Sequence, residues 1–206
     1  MRRIHSVLTA LLVLAFLSSG AQKVVTPDLS KINDANVWTS INRGVTYLNS
    51  VHMDSKEGDG LTRLNNFTFE NGKIELDIKG KNQQGQSFVG FAFHGLNDST
   101  YDAIYFRPFN FKNPNRKTHS VQYISHPKYT WSKLRNDFPD KYENTVEPVP
   151  DPDDWFHATI VIEHPSVKVF VNNSDNHHLP LSNSALGKKV GLASGLEIFL
   201  KETSRI

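Results

Sequence analysis

The 206-residue chain has no cysteine, two methionines and three tryptophans. Without cysteine there is no disulfide framework, no thiolate metal site, no thiol nucleophile and no lipid-attachment thiol. Helical periodicity is scarce, and no apolar run reaches the roughly 20 residues that a membrane-spanning helix needs. Net charge is missing too: the formal +2 sits in Arg2 and Arg3, and the remainder balances at 21 basic against 21 acidic residues. Phosphate binding depends on clustered positive charge, so this balance argues against nucleic acid as the main partner. There is no Gly-Lys-Ser/Thr phosphate loop, no Gly-x-Ser-x-Gly elbow and no internal repeat.

The first 21 residues carry a different signal. Arg2 and Arg3 form a basic start, Val7 to Phe16 an apolar stretch, and Ser19-Gly20-Ala21 a small-residue cleavage site before Gln22. This order predicts a signal peptide over 1–21 and a single mature domain over 22–206 in a periplasm or outside the cell.

Within that domain the dominant pattern is period-two alternation in short runs broken by Gly, Asn, Asp and Pro. Predicted strands are Phe67–Phe69, Lys73–Ile78, Phe88–His94, Tyr101–Pro108, Ser120–Ser125, Trp155–Glu163 and Val167–Val171. Ile74, Leu76 and Ile78 then face a core, with Glu75, Asp77 and Lys79 opposite. The pair Trp155–Glu163 and Val167–Val171 reads as a hairpin. Short strands joined by tight turns predict an all-β fold, a two-sheet antiparallel sandwich. Lys128 to Asp154 interrupts the rhythm with prolines and the helix-like spacing Trp131, Leu134, Arg135, Phe138. It reads as a long insertion carrying one short helix, which either shapes a binding site or covers a sheet edge.

Several residue groups carry candidate chemistry. Adjacent His177 and His178 point apart on a strand and lack a third zinc ligand, so they read as a solvated loop. Asp151-Pro152-Asp153-Asp154 offers oxygen ligands to Ca²⁺ without EF-hand spacing; no other cofactor is expected. Glu75 and Asp77 lie two apart on a strand, about 7 Å along the chain, a spacing that fits either the acid–base pair of a glycosidase or a solvent-facing strand of mixed charge. Tyr101, Ala103, Tyr105, Arg107 and Phe109 alternate onto one face. Tyr and Arg there offer flat apolar area with polar tips, as sugar stacking requires, and the competing reading is an amphipathic face with Arg107 in a structural ion pair. His94, His119, Tyr123 and His157 on neighbouring strands, and Tyr129 and Trp131 on the insertion, are candidates to join it. The expected ligand contacts are His94, Tyr105, Arg107, His119, Tyr123 and Trp131.

The order of these segments resembles the concanavalin A-like lectin and glucanase domains, of the LamG and 3-keto-disaccharide-hydrolase-like kind found in exported bacterial proteins. The resemblance runs through Phe69 to Ile78, Phe88 to His94, Tyr105-Phe106-Arg107, Trp155 to Ile162 and Val167 to Asn172. It implies a jelly roll with a carbohydrate partner, glycan binding first and glycoside hydrolysis as the alternative, with a protein-interaction module as the third reading. The acidic strand of the glucanases reads Glu-x-Asp-x-x-Glu or Glu-x-Asp-x-Glu, whereas Glu75-Leu76-Asp77-Ile78-Lys79 lacks the last acid. After Leu192 the resemblance stops. Codons allowed for Ser194 to Ile206, read in a shifted frame, give Trp-Ala-Gly-Asn-Leu-Ser-Glu-Gly-Asp-Phe-Gln-Asn, an ending of the kind these domains carry. Residues 193–206 are therefore expected to be a frameshifted terminus, leaving a sandwich edge unpaired.

Overall fold

The computed structural model describes residues 23–175, 181–182 and 197–202. The proposed leader and His177-His178 lie outside the described residues.

Three antiparallel sheets are present among the described residues. The largest has seven strands in the order β1 (Trp38–Ile41), β4 (Gly58–Leu64), β13 (Glu197–Glu202), β6 (Phe88–Asn97), β7 (Thr100–Phe106), β8 (Val121–Ser125), β9 (Glu143–Asn144). The second has β12 (Leu181–Ser182), β11 (Ser166–Val171), β10 (Trp155–Glu163) and β5 (Gly72–Lys79), while β2 (Val45–Tyr47) and β3 (Val51–Met53) form a small separate ribbon.

Alternation decides which side chains fill the space between the two large sheets. In β10, Phe156, Ala158, Ile160 and Ile162 are each at most 2% exposed, while Trp155, His157, Thr159 and Val161 between them reach solvent. Val167, Val169 and Val171 of β11 and Ile74 and Ile78 of β5 complete that inner face, as the hydrophobic period predicts. Phe106 of β7 meets Phe156 edge to face at 5.0 Å, so Phe106, Ile104 and Asp102 point inward. The intervening Tyr101, Ala103, Tyr105 and Arg107 therefore point to the outer face of the seven-stranded sheet.

The predicted strands from Lys73 onward are found with their ends shifted by a few residues. Phe67–Phe69, by contrast, is only a single-residue bridge at Thr68, and β1 to β4 occupy a stretch where no strand was expected before residue 67. Glu197–Glu202 is not an unpaired remnant: it hydrogen-bonds between β4 and β6, inside the large sheet. Ile198-Phe199-Leu200, free of Gly and Pro, suits that central position.

The insertion after β8 contains the expected helix, α1 (Trp131–Asp137). Thr130 caps it by accepting from the Lys133 amide at 3.4 Å, and Lys133 pairs with Asp137 one turn on at 2.6 Å. Leu134, fully buried, docks the helix against the core, which turns Trp131 and Arg135 toward the β8–β9 edge.

Candidate functional site

Strand pairing assembles a polar network on the outer face at that edge. Tyr105 sits opposite Gln122, and Gln122 opposite Glu143, so three strands place these side chains on one face in a row. Arg107, just beyond β7, extends along the row. Its guanidinium lies 4.9 Å from the Tyr105 ring centroid and donates to Tyr105 Oη at 2.8 Å, Gln122 Oε1 at 3.3 Å and the His119 carbonyl at 3.0 Å. Gln122 in turn donates to the carbonyls of Tyr123 and Tyr142. Gly90, opposite Tyr105 on β6, leaves room for this packing: a Cβ there would fall 2.9 Å from Tyr105 Cβ and 2.1 Å from the Ile104 carbonyl oxygen.

Glu143 is the carboxylate of the network. It accepts from Arg135 through both oxygens, with Nε to Oε1 at 2.7 Å, and lies 3.8 Å from Arg107 and 2.9 Å from His119 Nδ1. Its side chain is 2% exposed. Burial works to raise its pKa, but the hydrogen bonds and charge of Arg135, with His119 and Arg107, outweigh burial and hold it below the usual carboxylate value. Burial pushes the Tyr105 hydroxyl up to about 12 and lowers the Arg107 guanidinium, while the bonds to Glu143 raise Arg135. Arg135 also stacks on the Trp131 ring, 4.9 Å from its centroid, and Trp131 remains 39% exposed. The arrangement is a partly exposed aromatic platform fixed from behind by a buried ionic network.

Four of the six expected contact residues, Tyr105, Arg107, His119 and Trp131, thus meet in one cluster. His94 and Tyr123 do not join it. Tyr123 pairs with Ile104 and shares the inward face, one residue out of phase with Gln122. His94 follows an irregularity in the β6–β7 register, adopts φ 54°, and bridges inward: Nε2–H donates to the Glu70 carbonyl at 2.7 Å, and Nδ1 meets Asp102 at 3.1 Å. Asp102 and His94 are both buried, so the pair ties the seven-stranded sheet to the start of β5. Glu143, Gln122 and Arg135 were not anticipated as site residues. Arg135 was legible in principle, because it stands four residues after Trp131 on the predicted helix.

Glu75 and Asp77 lie on the outer face of the other sheet. Asp77 meets His157 Nδ1 at 2.9 Å, Glu75 pairs with Lys73 at 3.0 Å, and both acids are largely exposed. Trp155, opposite Lys79, is 49% exposed on the same face.

No family model matches this sequence, and no curated protein matches it. Solved structures do match its fold. The carbohydrate binding module CBM66 from Bacillus subtilis superposes with a TM-score of 0.51 at 12% identity, over 81% of this chain and 93% of its own. A protein of unknown function with a galectin-like fold, also from Bacillus subtilis, gives 0.53 at 15% identity over 84% of each chain. The exoplasmic/lumenal domain of VIP36 in a Ca²⁺-bound form gives 0.54 at 7% identity, over 81% of this chain and 77% of its own. The fold is a concanavalin A-like jelly-roll sandwich.

In this jelly roll the acidic run is occupied locally. Asp151 binds Lys112 and the Asp153 amide, Asp153 accepts from the Asn82 amide, and Asp154 from the Trp155 amide. Among the described residues no group of three His, Asp or Glu side chains is placed to hold a metal ion. Among the same residues no helix is long and apolar enough to cross a membrane.

Proposed function

We propose that this chain is an exported glycan-binding domain whose sugar-contacting surface is the Trp131 edge of the seven-stranded sheet. The observation that carries the reading is the Trp131 ring, 39% exposed and backed by an Arg135 guanidinium that Glu143 immobilises. A sugar ring stacks on an aromatic face with little entropic cost when that face is already fixed. His119, 29% exposed at its side chain, stands beside Glu143 to bond hydroxyls at the rim. Tyr105 and Arg107 hold the platform from beneath, and His94 and Tyr123 shape the same strands from the inner face. A carbohydrate-binding module among the fold neighbours supports the class of ligand, and VIP36 has also been solved in a Ca²⁺/Man3GlcNAc-bound form. Export follows from the leader reading and predicts a mature N-terminus at Gln22 when the full gene is expressed.

The test is a glycan array and polysaccharide panel scored for both retained ligand and released reducing ends, with Trp131→Ala as the control. Binding without release, lost in a control that melts normally, is the expected result. Release of reducing ends that disappears in Glu75→Gln or Asp77→Asn replaces this reading with a glycosidase. Silence from a folded sample replaces it with a module whose sheet face meets another protein.

A further inference from the structure

The chain is neutral beyond Arg3, yet its charge is unevenly distributed in space. The 39 residues from Arg107 to Thr145 hold eight Lys and Arg against three Asp and Glu, and the rest of the chain beyond Arg3 holds thirteen against eighteen. The fold gathers that stretch at one place, since β8, β9, α1 and the short 3₁₀ turns at Pro108–Asn110 and Lys117–His119 all pack around the β8–β9 edge. Asp151, from outside the stretch, pairs with Lys112 at 2.8 Å, and Lys133 and Arg135 are paired within it, so the unbalanced positive charge of this edge is carried by Arg116, Lys117, Lys128 and Lys141.

The basic edge and the buried network share a deficit of negative charge. Two guanidinium groups, Arg107 and Arg135, share Glu143 as their one carboxylate within 4.0 Å among the described residues, with Asp140 acting on Arg135 only from farther away. Arg107 is 5% exposed and spends its other donors on neutral oxygens, so a cation is held in a desolvated place with half a partner. Such a charge is costly to bury, and negative charge held at the exposed rim of the network offsets part of that cost at a distance. Around the network, Arg116, Lys117, Lys128 and Lys141 are exposed and have no carboxylate within 4.0 Å among the described residues. Arg116 and Lys117 lead directly into His119, which touches Glu143, and Lys141 lies two residues before Glu143.

Resting on the glycan-binding reading above, we infer that the ligand is an anionic polysaccharide, its sugar ring on Trp131 and its carboxylate or sulfate groups along the basic β8–β9 edge. Uronate and sulfate groups share the relevant chemistry, a fixed negative charge with planar or tetrahedral oxygen acceptors that guanidinium groups bind in pairs. Exposed charge pairs are screened within about 10 Å at 0.1 M salt, so this affinity declines steeply with ionic strength while stacking on Trp131 does not.

The experiment titrates the full chain with alginate as polyuronate, carrageenan as sulfated galactan, a neutral β-glucan, and a single-stranded oligonucleotide, each at 20 mM and 300 mM NaCl. Expected are at least tenfold tighter binding of one anionic polysaccharide than of the neutral glucan at low salt, and a drop of tenfold or more at high salt. The ratio of anionic to neutral affinity should also fall at least fivefold in the Arg116→Glu, Lys117→Glu double variant, whose exposed positions spare the core. Alginate ahead of carrageenan identifies carboxylate as the recognised group, and the reverse identifies sulfate. Equal, salt-insensitive binding of neutral and anionic polymers overturns this inference and leaves the glycan-binding reading standing. No binding of any polysaccharide overturns both, and oligonucleotide binding as tight as the best polysaccharide overturns it in favour of a nonspecific polyanion surface.

Discussion

The two outward faces of the sandwich handle charge in opposite ways. At the β8–β9 edge, the half-buried Arg135 and His119 are drawn in around the buried Arg107 and Glu143, so each group depends on the others. On the outer face of the four-stranded sheet, Lys73, Glu75, Asp77 and His157 form separate exposed pairs across or along strands. Exposed pairs of this kind contribute about 0–1 kcal/mol each, whereas removing one member of a buried network costs about 3–5 kcal/mol because it strands a charge. Both faces also expose a tryptophan, but Trp131 is clamped by Arg135 and Trp155 has no such backing among the described residues. Preorganisation, more than composition, is what separates a candidate site from an ordinary amphipathic face.

The largest expected effect follows from breaking the buried network. Glu143→Ala leaves two guanidinium groups facing each other and should destabilise the fold by about 3–5 kcal/mol, read as a drop in melting temperature of about 10 °C. A loss under about 1 kcal/mol would show that water or a neighbouring group already satisfies Arg107 and Arg135.

Next comes Trp131→Ala. Sugar affinity should fall tenfold or more while the melting temperature moves by less than about 3 °C, since the ring is only partly buried. Equal loss in Trp155→Ala would erase the contrast between the faces.

Acid should sharpen the same contrast. Glu143 titrates lower in the folded state than in the unfolded chain, so its contribution is complete above the unfolded carboxylate value near 4.3 and disappears as pH falls through the lower folded value. The stability gap between wild type and Glu143→Gln, measured by denaturant melts from pH 7 down to pH 3, should narrow only below about pH 4. A gap independent of pH would mean that the Glu143 charge does not matter.

The smallest effect is expected on the other face. Glu75→Gln and Asp77→Asn should each change stability by less than about 0.5 kcal/mol and leave glycan binding intact.

Side-chain parity made much of this fold legible in advance. The run Phe156, Ala158, Ile160, Ile162 has one face apolar, so the late hairpin and its inner face follow from the sequence alone. The strands β1 to β3 were not legible because each has four residues or fewer, and in the longer β4 Gly58 and Gly60 interrupt the alternation. The site was half legible for a related reason. Parity correctly groups Tyr101, Ala103, Tyr105 and Arg107 on one face, but it cannot say which residue of β8 stands beside Tyr105. The register chooses Gln122 over Tyr123, and an irregularity after Phe93 turns His94 inward. Glu143 lies in a strand of two residues, too short for any periodic signal. Charge clustering was hidden as well, because a balanced total conceals a basic segment until the fold brings its pieces to one edge.

The most direct test of the central claim is to measure binding of one retained polysaccharide to four proteins: wild type, Trp131→Ala, Trp155→Ala and Asp77→Asn. The account predicts that affinity falls at least tenfold in Trp131→Ala alone. Loss in Trp155→Ala or Asp77→Asn, with Trp131→Ala unaffected, would place the sugar on the four-stranded sheet and contradict it.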